Sequence, residues 1–272
     1  DGTLWSWGYA GNGQLGLNEG PSKKKSSPCQ IPGTTWSRGH GGYAGNTAVK
    51  TDGTLWAWGN NGTGVIGQNS TSTPRYSSPT QIPGTTWDDG EYKVDTSEGS
   101  IGGIKTDGTL WTWGDNASGI LGQGQDPGEF GYRSSPTQVG TDTTWNIINF
   151  GKYHAGAIKT NGTLWVWGIQ NETGVLGLNQ SGTDGVMRLS SPTQVGTDTT
   201  WSNVFAGSNA TYATKTDNTL WAWGYNQFGA LGLNQAGGET VRLSSPTQIP
   251  GTDWGGKMQI SQAGGTAIKI AG

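Results

Sequence analysis

The chain has 272 residues, a formal net charge of −3 and only 13% charged side chains. Because there is no basic excess, the composition argues against nucleic-acid binding, and no apolar run is long enough to predict insertion into a membrane. The single cysteine, Cys29, excludes an internal disulfide and a cysteine-based metal site. Fifty glycines and 15 tryptophans indicate a core built from few large side chains and many turns.

One octapeptide, D-G-T-L-W-x-W-G with small variations, is spelled five times. It begins at residues 1, 52, 107, 161 and 217. This spacing predicts a single domain, residues 1–272, made of five repeats of about 54 residues each.

Each repeat contains the same predicted elements in the same order. The strand T-L-W-x-W comes first, because its alternation and its Trp and Thr content are typical of β-structure. A glycine-rich turn follows, such as GQLGLN at 13–18, and then S-S-P-x-Q. A lone tryptophan and a short apolar strand ending in Lys complete the repeat. The lone tryptophans are Trp36, Trp87, Trp145, Trp201 and Trp254. No helical periodicity of useful length is present, so the fold class is all-β.

The last strand of one repeat and the first strand of the next predict a hairpin. Asp-Gly or Asn-Gly separates them in most copies, and both residues of such a turn tolerate positive φ. Asn218 replaces the glycine in the fifth copy and also tolerates this conformation. In the strand that follows, Trp5 and Trp7 point to one side while small residues point to the other. Sheets with one bulky and one small face favour radial stacking, which is a β-propeller.

The chain ends on TAIK (266–269), the strand that precedes the octapeptide in the other repeats. We therefore expect the N- and C-terminal strands to pair within one blade and to close a ring of five blades. An incomplete ring, or part of a longer array, is the rival interpretation. The first residue is not methionine, so we expect either processing or a fragment of a longer polypeptide.

The unit A-I-K-T-D-G-T-L-W-x-W-G-x-N-x-x-G-x-L-G-x-N resembles the regulator of chromosome condensation repeat, over essentially the whole chain. The resemblance implies a β-propeller. Members commonly have seven blades, and their repeats often carry His before the last strand, where this chain has only His154. The family includes a nucleotide-exchange factor, so the resemblance implies a possible small GTPase or chromatin partner, which the missing histidines put in doubt.

Candidate binding residues lie in the variable stretch before S-S-P, where each repeat carries a basic residue and some carry aromatic or soft side chains. Such residues are typical of interfaces, although a repeated basic residue is also consistent with a structural role. The partner-binding candidates are Lys23, Lys24, Lys25, Arg75, Tyr76, Phe130, Tyr132, Arg133, Met187, Arg188 and Arg242, with Asp184 as a further specificity residue.

No pattern predicts catalysis, a metal or a cofactor. The two histidines, His40 and His154, form no recognisable triad, and the carboxylates of residues 88–98 match no calcium-loop spacing, so a solvated acidic loop is the preferred interpretation.

Three functional hypotheses follow. The first is a non-catalytic protein-binding or structural module, extracellular or in a phage virion, that contacts a protein partner or a neighbouring subunit. The second is a glycan-binding lectin, which requires a recurring exposed aromatic residue. The third is an intracellular regulator of a small GTPase or chromatin.

Overall fold

The structure is a computed structural model that describes residues 1–20, 23–42, 45–124, 131–170, 173–179, 187–234, 241–261 and 264–269. Within these residues the chain forms twenty β-strands and a single 3-10 turn at Gln227–Gly229, with no α-helix. The all-β prediction is therefore confirmed. No helix in this part of the chain is long and apolar enough to cross a membrane.

The first of two compact units holds strands β1 to β10. A two-stranded sheet pairs β1 with β2, and two four-stranded sheets follow in the orders β3-β4-β5-β6 and β7-β8-β9-β10. The strands are β1 Leu4–Gly8, β2 Lys25–Ile31, β3 Trp36–Gly41, β4 Gly45–Lys50, β5 Leu55–Asn60, β6 Arg75–Gln81, β7 Val94–Thr96, β8 Ser100–Ile104, β9 Leu110–Asp115 and β10 Tyr132–Gln138.

The second unit holds the turn that begins at Ser118 together with strands β11 to β20. Its four-stranded sheets have the orders β11-β12-β13-β14 and β15-β16-β17-β18, and β19 pairs with β20. The strands are β11 Trp145–Phe150, β12 His154–Lys159, β13 Leu164–Gln170, β14 Met187–Gln194, β15 Trp201–Ala206, β16 Ala210–Lys215, β17 Leu220–Tyr225, β18 Arg242–Gln248, β19 Trp254–Ser261 and β20 Gly264–Lys269.

The hairpins form where the sequence predicts them. Where the first repeat joins the second, Val49 of β4 pairs with Leu55 of β5, and the turn between them places Gly53 at φ 76°. Asn218 occupies the corresponding position in the fifth copy, at φ 61°. The left-handed conformation therefore explains why this position is Gly or Asn.

In the second to fifth repeats, the second tryptophan of the W-x-W pair packs on the glycine-rich turn of the preceding repeat. Its indole Nε1 donates a hydrogen bond to a backbone carbonyl of that turn. The bonds are Trp58 to Gln14 at 2.8 Å, Trp113 to Val65 at 2.7 Å, Trp167 to Ile120 at 2.6 Å and Trp223 to Val175 at 2.8 Å. The strand alternation predicts that this tryptophan packs on the face of a neighbouring sheet, and the structure shows that it also contacts the glycine-rich turn. This contact joins successive repeats within each unit.

In the second to fifth repeats, the first tryptophan of the W-x-W pair belongs to a cluster at the hairpin end of its sheet. In the sheet β3-β4-β5-β6 the Lys50 ammonium lies 4.3 Å from the ring centre of Trp56 and 4.7 Å from that of Trp36. Trp56 also donates to Thr54, whose hydroxyl donates to Asp52. Lys105, Lys159 and Lys215 lie in the same way over the lone tryptophan and the first W-x-W tryptophan of their own sheets. These lysines are therefore part of the scaffold, held by cation–π attraction.

In every described sheet except β19-β20, the last strand, here called the outer strand, carries a proline in S-S-P. The outer strands are β2, β6, β10, β14 and β18, and their prolines are Pro28, Pro79, Pro136, Pro192 and Pro246. Proline has no backbone N–H, so it is tolerated on an edge strand and discourages pairing with another chain.

Candidate functional site

The predicted basic residues lie where the outer strands begin, but they occupy two different positions. Arg75 lies opposite Asn60, the residue after the glycine of W-x-W-G, whereas Arg133 lies opposite that glycine itself, Gly114. Adjacent residues of a strand point to opposite sides. The five basic residues that look equivalent in the sequence are therefore not equivalent in the structure.

Two positions at the beginning of each outer strand are named here. The outward position lies opposite the residue that follows the glycine of W-x-W-G. The inward position is the next residue along the outer strand. Every outward residue is exposed, and every inward residue is only partly exposed. The outward residues are Lys24, Arg75, Tyr132, Arg188 and Arg242, and the inward residues are Lys25, Tyr76, Arg133, Leu189 and Leu243. Burial thus follows the strand alternation in all five repeats.

Two inward residues make contacts that fix the scaffold. The Lys25 ammonium donates to the Glu19 carboxylate at 2.8 Å, and this hydrogen bond raises the pKa of Lys25. The backbone carbonyl of Tyr76 lies so close to Gly13 of the preceding repeat that a side chain at Gly13 would collide with it. These contacts favour a structural role for the inward positions.

The variable stretch of the second repeat is anchored at its base by a buried asparagine that sequence reasoning missed. Asn61 Nδ2 donates to the carbonyls of Ser70 and Thr73, at 2.9 and 3.0 Å, and its Oδ1 accepts from the amide of Ile66. Asn226 is also buried, and its Oδ1 accepts from Leu231. The signal was present, since four repeats place Asn three residues before the first glycine of the turn.

Several predicted residues cannot be assigned a contact. Phe130 and Asp184 lie outside the described residues, and Met187 is the first residue of β14. Lys23 is exposed next to the outward Lys24.

The acidic loop of the second repeat is held by protein contacts. Asp88 accepts from the amide of Gly90 at 2.9 Å and forms an ion pair with Lys93, while the Asp89 carboxylate accepts from Ser37 at 2.7 Å. No group of three or more metal-ligating side chains occurs among the described residues.

His154 is buried and His40 is partly buried, and neither bonds to a carboxylate within the part of the chain that the structure describes. His154 Nε2 lies 2.8 Å from the hydroxyl of Thr211, which donates to the carbonyl of Val175 at 2.8 Å. Since that hydroxyl hydrogen is already used, His154 must donate through Nε2. Burial lowers the pKa of His154 to about 4, so this imidazole is neutral at physiological pH. The contacts indicate a structural role.

The recurring aromatic rings do not form an open sugar-binding row. The first tryptophans of the second to fifth repeats, such as Trp56 and Trp111, are partly buried, and each carries the ammonium of its own lysine on the ring. Glycan binding therefore stays a prediction without a recurring exposed ring, among the described residues, to support it.

Comparison with known proteins agrees with the repeat pattern. A family model described as "Regulator of chromosome condensation (RCC1) repeat" matches residues 1–38, 107–158 and 217–264, and a second model of the same description matches residues 201–230. The first model alone covers slightly more than half of the chain. The human E3 ubiquitin-protein ligase HERC2 is 27% identical over 246 residues, which is 89% of this chain but only 5% of that protein.

Solved structures show the same fold. Yeast RCC1 (Prp20), solved with Kap60 bound, aligns with a TM-score of 0.80 over 99% of this chain and 63% of that one, at 18% identity. A structure of Prp20p from Saccharomyces cerevisiae, titled with its binding properties to Gsp1p and histones, aligns with a TM-score of 0.75 at 19% identity, over 99% of this chain and 65% of that one. The fold is therefore that of a β-propeller.

Proposed function

Because the chain belongs to the regulator of chromosome condensation (RCC1) repeat family, we propose that it is a non-catalytic protein-binding module that contacts its partner through the beginnings of the outer strands. The chain spans only 63% of yeast RCC1 and a small part of HERC2, so this proposal concerns the propeller itself.

One observation carries the proposal. The residues that recur in every repeat are engaged inside the scaffold, as Lys50 with Trp36 and Trp56 illustrates, whereas the outward residues are exposed in all five repeats. Arginine and tyrosine are enriched in protein interfaces because they combine a large contact area with polar groups. Function in a propeller is thus expected at these positions.

A small GTPase or a histone is the second candidate partner, because a structure similar to this chain is titled with binding to Gsp1p and histones. A place in a virion or outside the cell rests on composition alone and stays a prediction. A glycan partner likewise stays a prediction.

Surface plasmon resonance with the full chain tests the function. Purified Gsp1p and purified histones are the probes, and saturable micromolar binding of at least one of them is expected. Failure of both to bind would contradict the GTPase and histone form of the proposal. A non-catalytic module should also leave nucleotide release from Gsp1p at its intrinsic rate, so an accelerated release would show that the chain is an exchange factor.

We also propose that the five repeats form five blades, with β1 and β20 as neighbours in one of them. Observations within the first unit support an additional turn over Trp7 and an additional strand beside Leu4 and Trp5 of β1. Trp7 is 63% exposed, whereas Trp58 and Trp113 at the same place in their own repeats are 2% and 0% exposed. A cavity of about 270 Å³ lies beside Leu4 and Trp5 and is also lined by His40, Thr47 and Trp58.

A further inference from the structure

We infer that Gly84, Trp87 and Lys105, here called the Gly84 site, bind a carboxylate group of a ligand. All three residues belong to the first compact unit, and Trp87 and Lys105 pair at the hairpin end of the sheet that contains β8 and β9. The outer strand of this sheet begins at the opposite end of β9, beside Asp115. The Gly84 site is therefore additional to the surface of the proposed function.

The loop that precedes the lone tryptophan occurs in two lengths. Before Trp201 it reads G-T-D-T-T, whereas before Trp87 it reads P-G-T-T and is one residue shorter. Asp198 stands three residues before Trp201, and Gly84 stands three residues before Trp87. The shorter loop therefore lacks the carboxylate that the longer loop supplies.

The longer loop shows what that carboxylate does. The Lys215 ammonium donates to the Asp198 carboxylate at 2.6 Å. This hydrogen bond and a second one from Thr200 lower the pKa of Asp198 to about 2. The same ammonium lies 4.0 Å from the ring centre of Trp221 and 4.7 Å from that of Trp201. A lysine that is held over two tryptophan rings can therefore bind a carboxylate at the same time.

Lys105 has the same aromatic surroundings without that acid. Its ammonium lies 3.9 Å from the ring centre of Trp111 and 5.1 Å from that of Trp87. In the part of the chain that the structure describes, Lys105 forms no ion pair. The nearby Asp107 carboxylate accepts hydrogen bonds from the hydroxyl and the amide of Thr109, which lower its pKa more than the charge of Lys105 does. The N–H groups of Lys105 that the rings leave uncovered can therefore donate to a ligand.

Gly84 leaves a space that two donors face. A Cβ at this residue would lie 3.3 Å from Trp87 Nε1 and 3.8 Å from Lys105 Nζ. Trp87 is only 1% exposed, and its Nε1 has no hydrogen-bond partner among the described residues. A buried donor without an acceptor is costly, so an oxygen atom of a ligand beside Gly84 would be favourable. Gly84 is exposed and Lys105 is partly exposed, so a solute can reach this space.

The ammonium is expected to supply most of the attraction. The Trp201 indole also lacks an acceptor although Asp198 is present, so a carboxylate does not require the indole. The loop before Trp36 is short as well, but there the indole donates to the carbonyl of Pro32 at 3.3 Å. The Gly84 site therefore offers an anion one more donor than the corresponding place at Trp36.

The test is NMR of the tryptophan indole N–H groups of the full chain, with signals assigned from single Trp→Phe variants. The probe is the blocked peptide Ac-Gly-Asp-Gly-NH2, whose only charge is one carboxylate. We expect it to shift the signals of Trp87 and Trp111 saturably in the millimolar range, because a single ion pair gives weak binding. The same peptide with asparagine should cause no shift.

Sodium acetate distinguishes two sources of the carboxylate. Acetate binding as tight as that of the aspartate peptide would identify a free small carboxylate as the ligand. Tighter binding of the peptide would identify an acidic side chain of a protein. Either result supports the Gly84 site, whereas tighter binding of inorganic phosphate than of both would overturn it in favour of a phosphate site.

Variants assign the binding to Lys105. Lys105→Gln removes the ammonium and should abolish the shifts, whereas Lys105→Arg keeps a positive charge and should retain part of them. The matched control is Lys215→Gln, which removes the corresponding lysine where Asp198 is already present and should leave the shifts unchanged. Replacement of residues 83–86 by G-T-D-T-T, the loop before Trp201, should supply an internal carboxylate and abolish peptide binding. This last variant keeps the test decisive if Lys105→Gln does not fold.

Three results would overturn the inference. The first is the absence of a shift at Trp87 and Trp111 with the aspartate peptide. The second is an equal shift with the asparagine peptide, which would show that the charge is not recognised. The third is a shift that survives both Lys105→Gln and the loop replacement.

Discussion

The burial of the second tryptophan of a W-x-W pair depends on how closely the glycine-rich turn of the preceding repeat packs against it. Trp167 is fully buried because the turn at Ile120 accepts its indole hydrogen and Gly122 lets the ring approach. A side chain at Gly122 would come within 2.8 Å of the Trp167 Nε1. The same residue type thus has different energetic weight in different repeats, according to its neighbours.

This difference predicts the stability of two matched variants. Trp167→Ala removes a fully buried indole and leaves the Ile120 carbonyl without its donor, so we expect a loss of about 3–5 kcal/mol in the free energy of unfolding. Trp7→Ala removes a side chain that is 63% exposed, and the loss should be below about 1 kcal/mol. Urea denaturation monitored by circular dichroism measures both. A loss at Trp7 as large as that at Trp167 would show that another segment covers Trp7.

His154 predicts a decrease of stability in acid. Its pKa in the folded protein is about 4, below its ordinary value of 6.5, so the unfolded chain binds more protons between these two pH values. The stabilisation is complete above pH 6.5 and is lost as the pH falls toward 4, with a total of roughly 3 kcal/mol at 1.36 kcal/mol per pKa unit.

Urea midpoints measured across this window check the prediction, with His154→Gln as the comparison. Glutamine keeps an N–H donor that can reach Thr211 but does not titrate, so the variant should show a smaller pH dependence. His40 shifts in the same direction because it is partly buried, and it should supply the part of the slope that remains. An unchanged slope in His154→Gln would contradict the assignment.

At the scale of the structural element, two glycines with positive φ allow the cost of backbone strain to be measured separately from the cost of a steric collision. Gly162 is the turn glycine between β12 and β13, at φ 75°, and a Cβ there would collide with the carbonyl of Thr199. Gly196 has φ 59° and has open space where its Cβ would be. Gly196→Ala should therefore cost about 1–2 kcal/mol from backbone strain alone. Gly162→Ala should cost about 2 kcal/mol more, because the backbone must also move.

Thermal denaturation of the two variants, with Gly162→Asn as a third, is the measurement. Asn tolerates positive φ but keeps a Cβ, so Gly162→Asn should lose most of the strain, keep the collision and melt between the parent chain and Gly162→Ala. Equal melting temperatures for Gly162→Ala and Gly196→Ala would mean that the turn at residue 162 has room for a side chain.

The elements that the sequence predicts well are those whose cause is local. The hairpin turns are recognisable because Gly53, Gly108 and Asn218 are required by the sign of φ. The difference between the outward Arg75 and the inward Arg133 was not predictable in the same way. One residue of shift within a strand reverses the direction of the side chain, and the stretch before the strand varies in length between repeats.

The buried Asn61 illustrates a different limit. Its position recurs in four repeats, but an isolated asparagine near a glycine turn is also common in exposed loops. Only the structure shows that its side chain joins the turn at Ile66 to the loop at Ser70 and Thr73. The base of this loop is therefore part of the scaffold.

At the scale of the whole molecule, five similar repeats specify the fold many times over, whereas function depends on residues that vary between them. Each W-x-W pair, each lysine that lies over tryptophan rings and each hairpin has copies elsewhere in the chain. The all-β repeat fold and its family were therefore predictable from the sequence. The blade number and the partner are set by contacts that occur once, and no repetition helps to predict them.

The proposed pairing of β1 with β20 can be tested by a disulfide. In the described hairpin that joins the first repeat to the second, Thr47 of β4 pairs with Ala57 of β5. The equivalent residues are Thr266 and Ser6, so Ser6→Cys with Thr266→Cys should form an intramolecular disulfide if the two strands are neighbours. Cys29 must first be replaced by Thr, as in the other repeats, because it lies opposite Ser6 in β2 and would compete.

Non-reducing electrophoresis and mass spectrometry of the oxidised chain identify the product, and Thr47→Cys with Ala57→Cys in the same background is the positive control. A disulfide in the control alone would contradict closure by β20. A disulfide-linked dimer would show that a second copy supplies the strand beside β1. An intramolecular bond that also lowers the exposure of Trp7, measured by acrylamide quenching against the Trp7→Phe variant, would show that the ring closes with five blades.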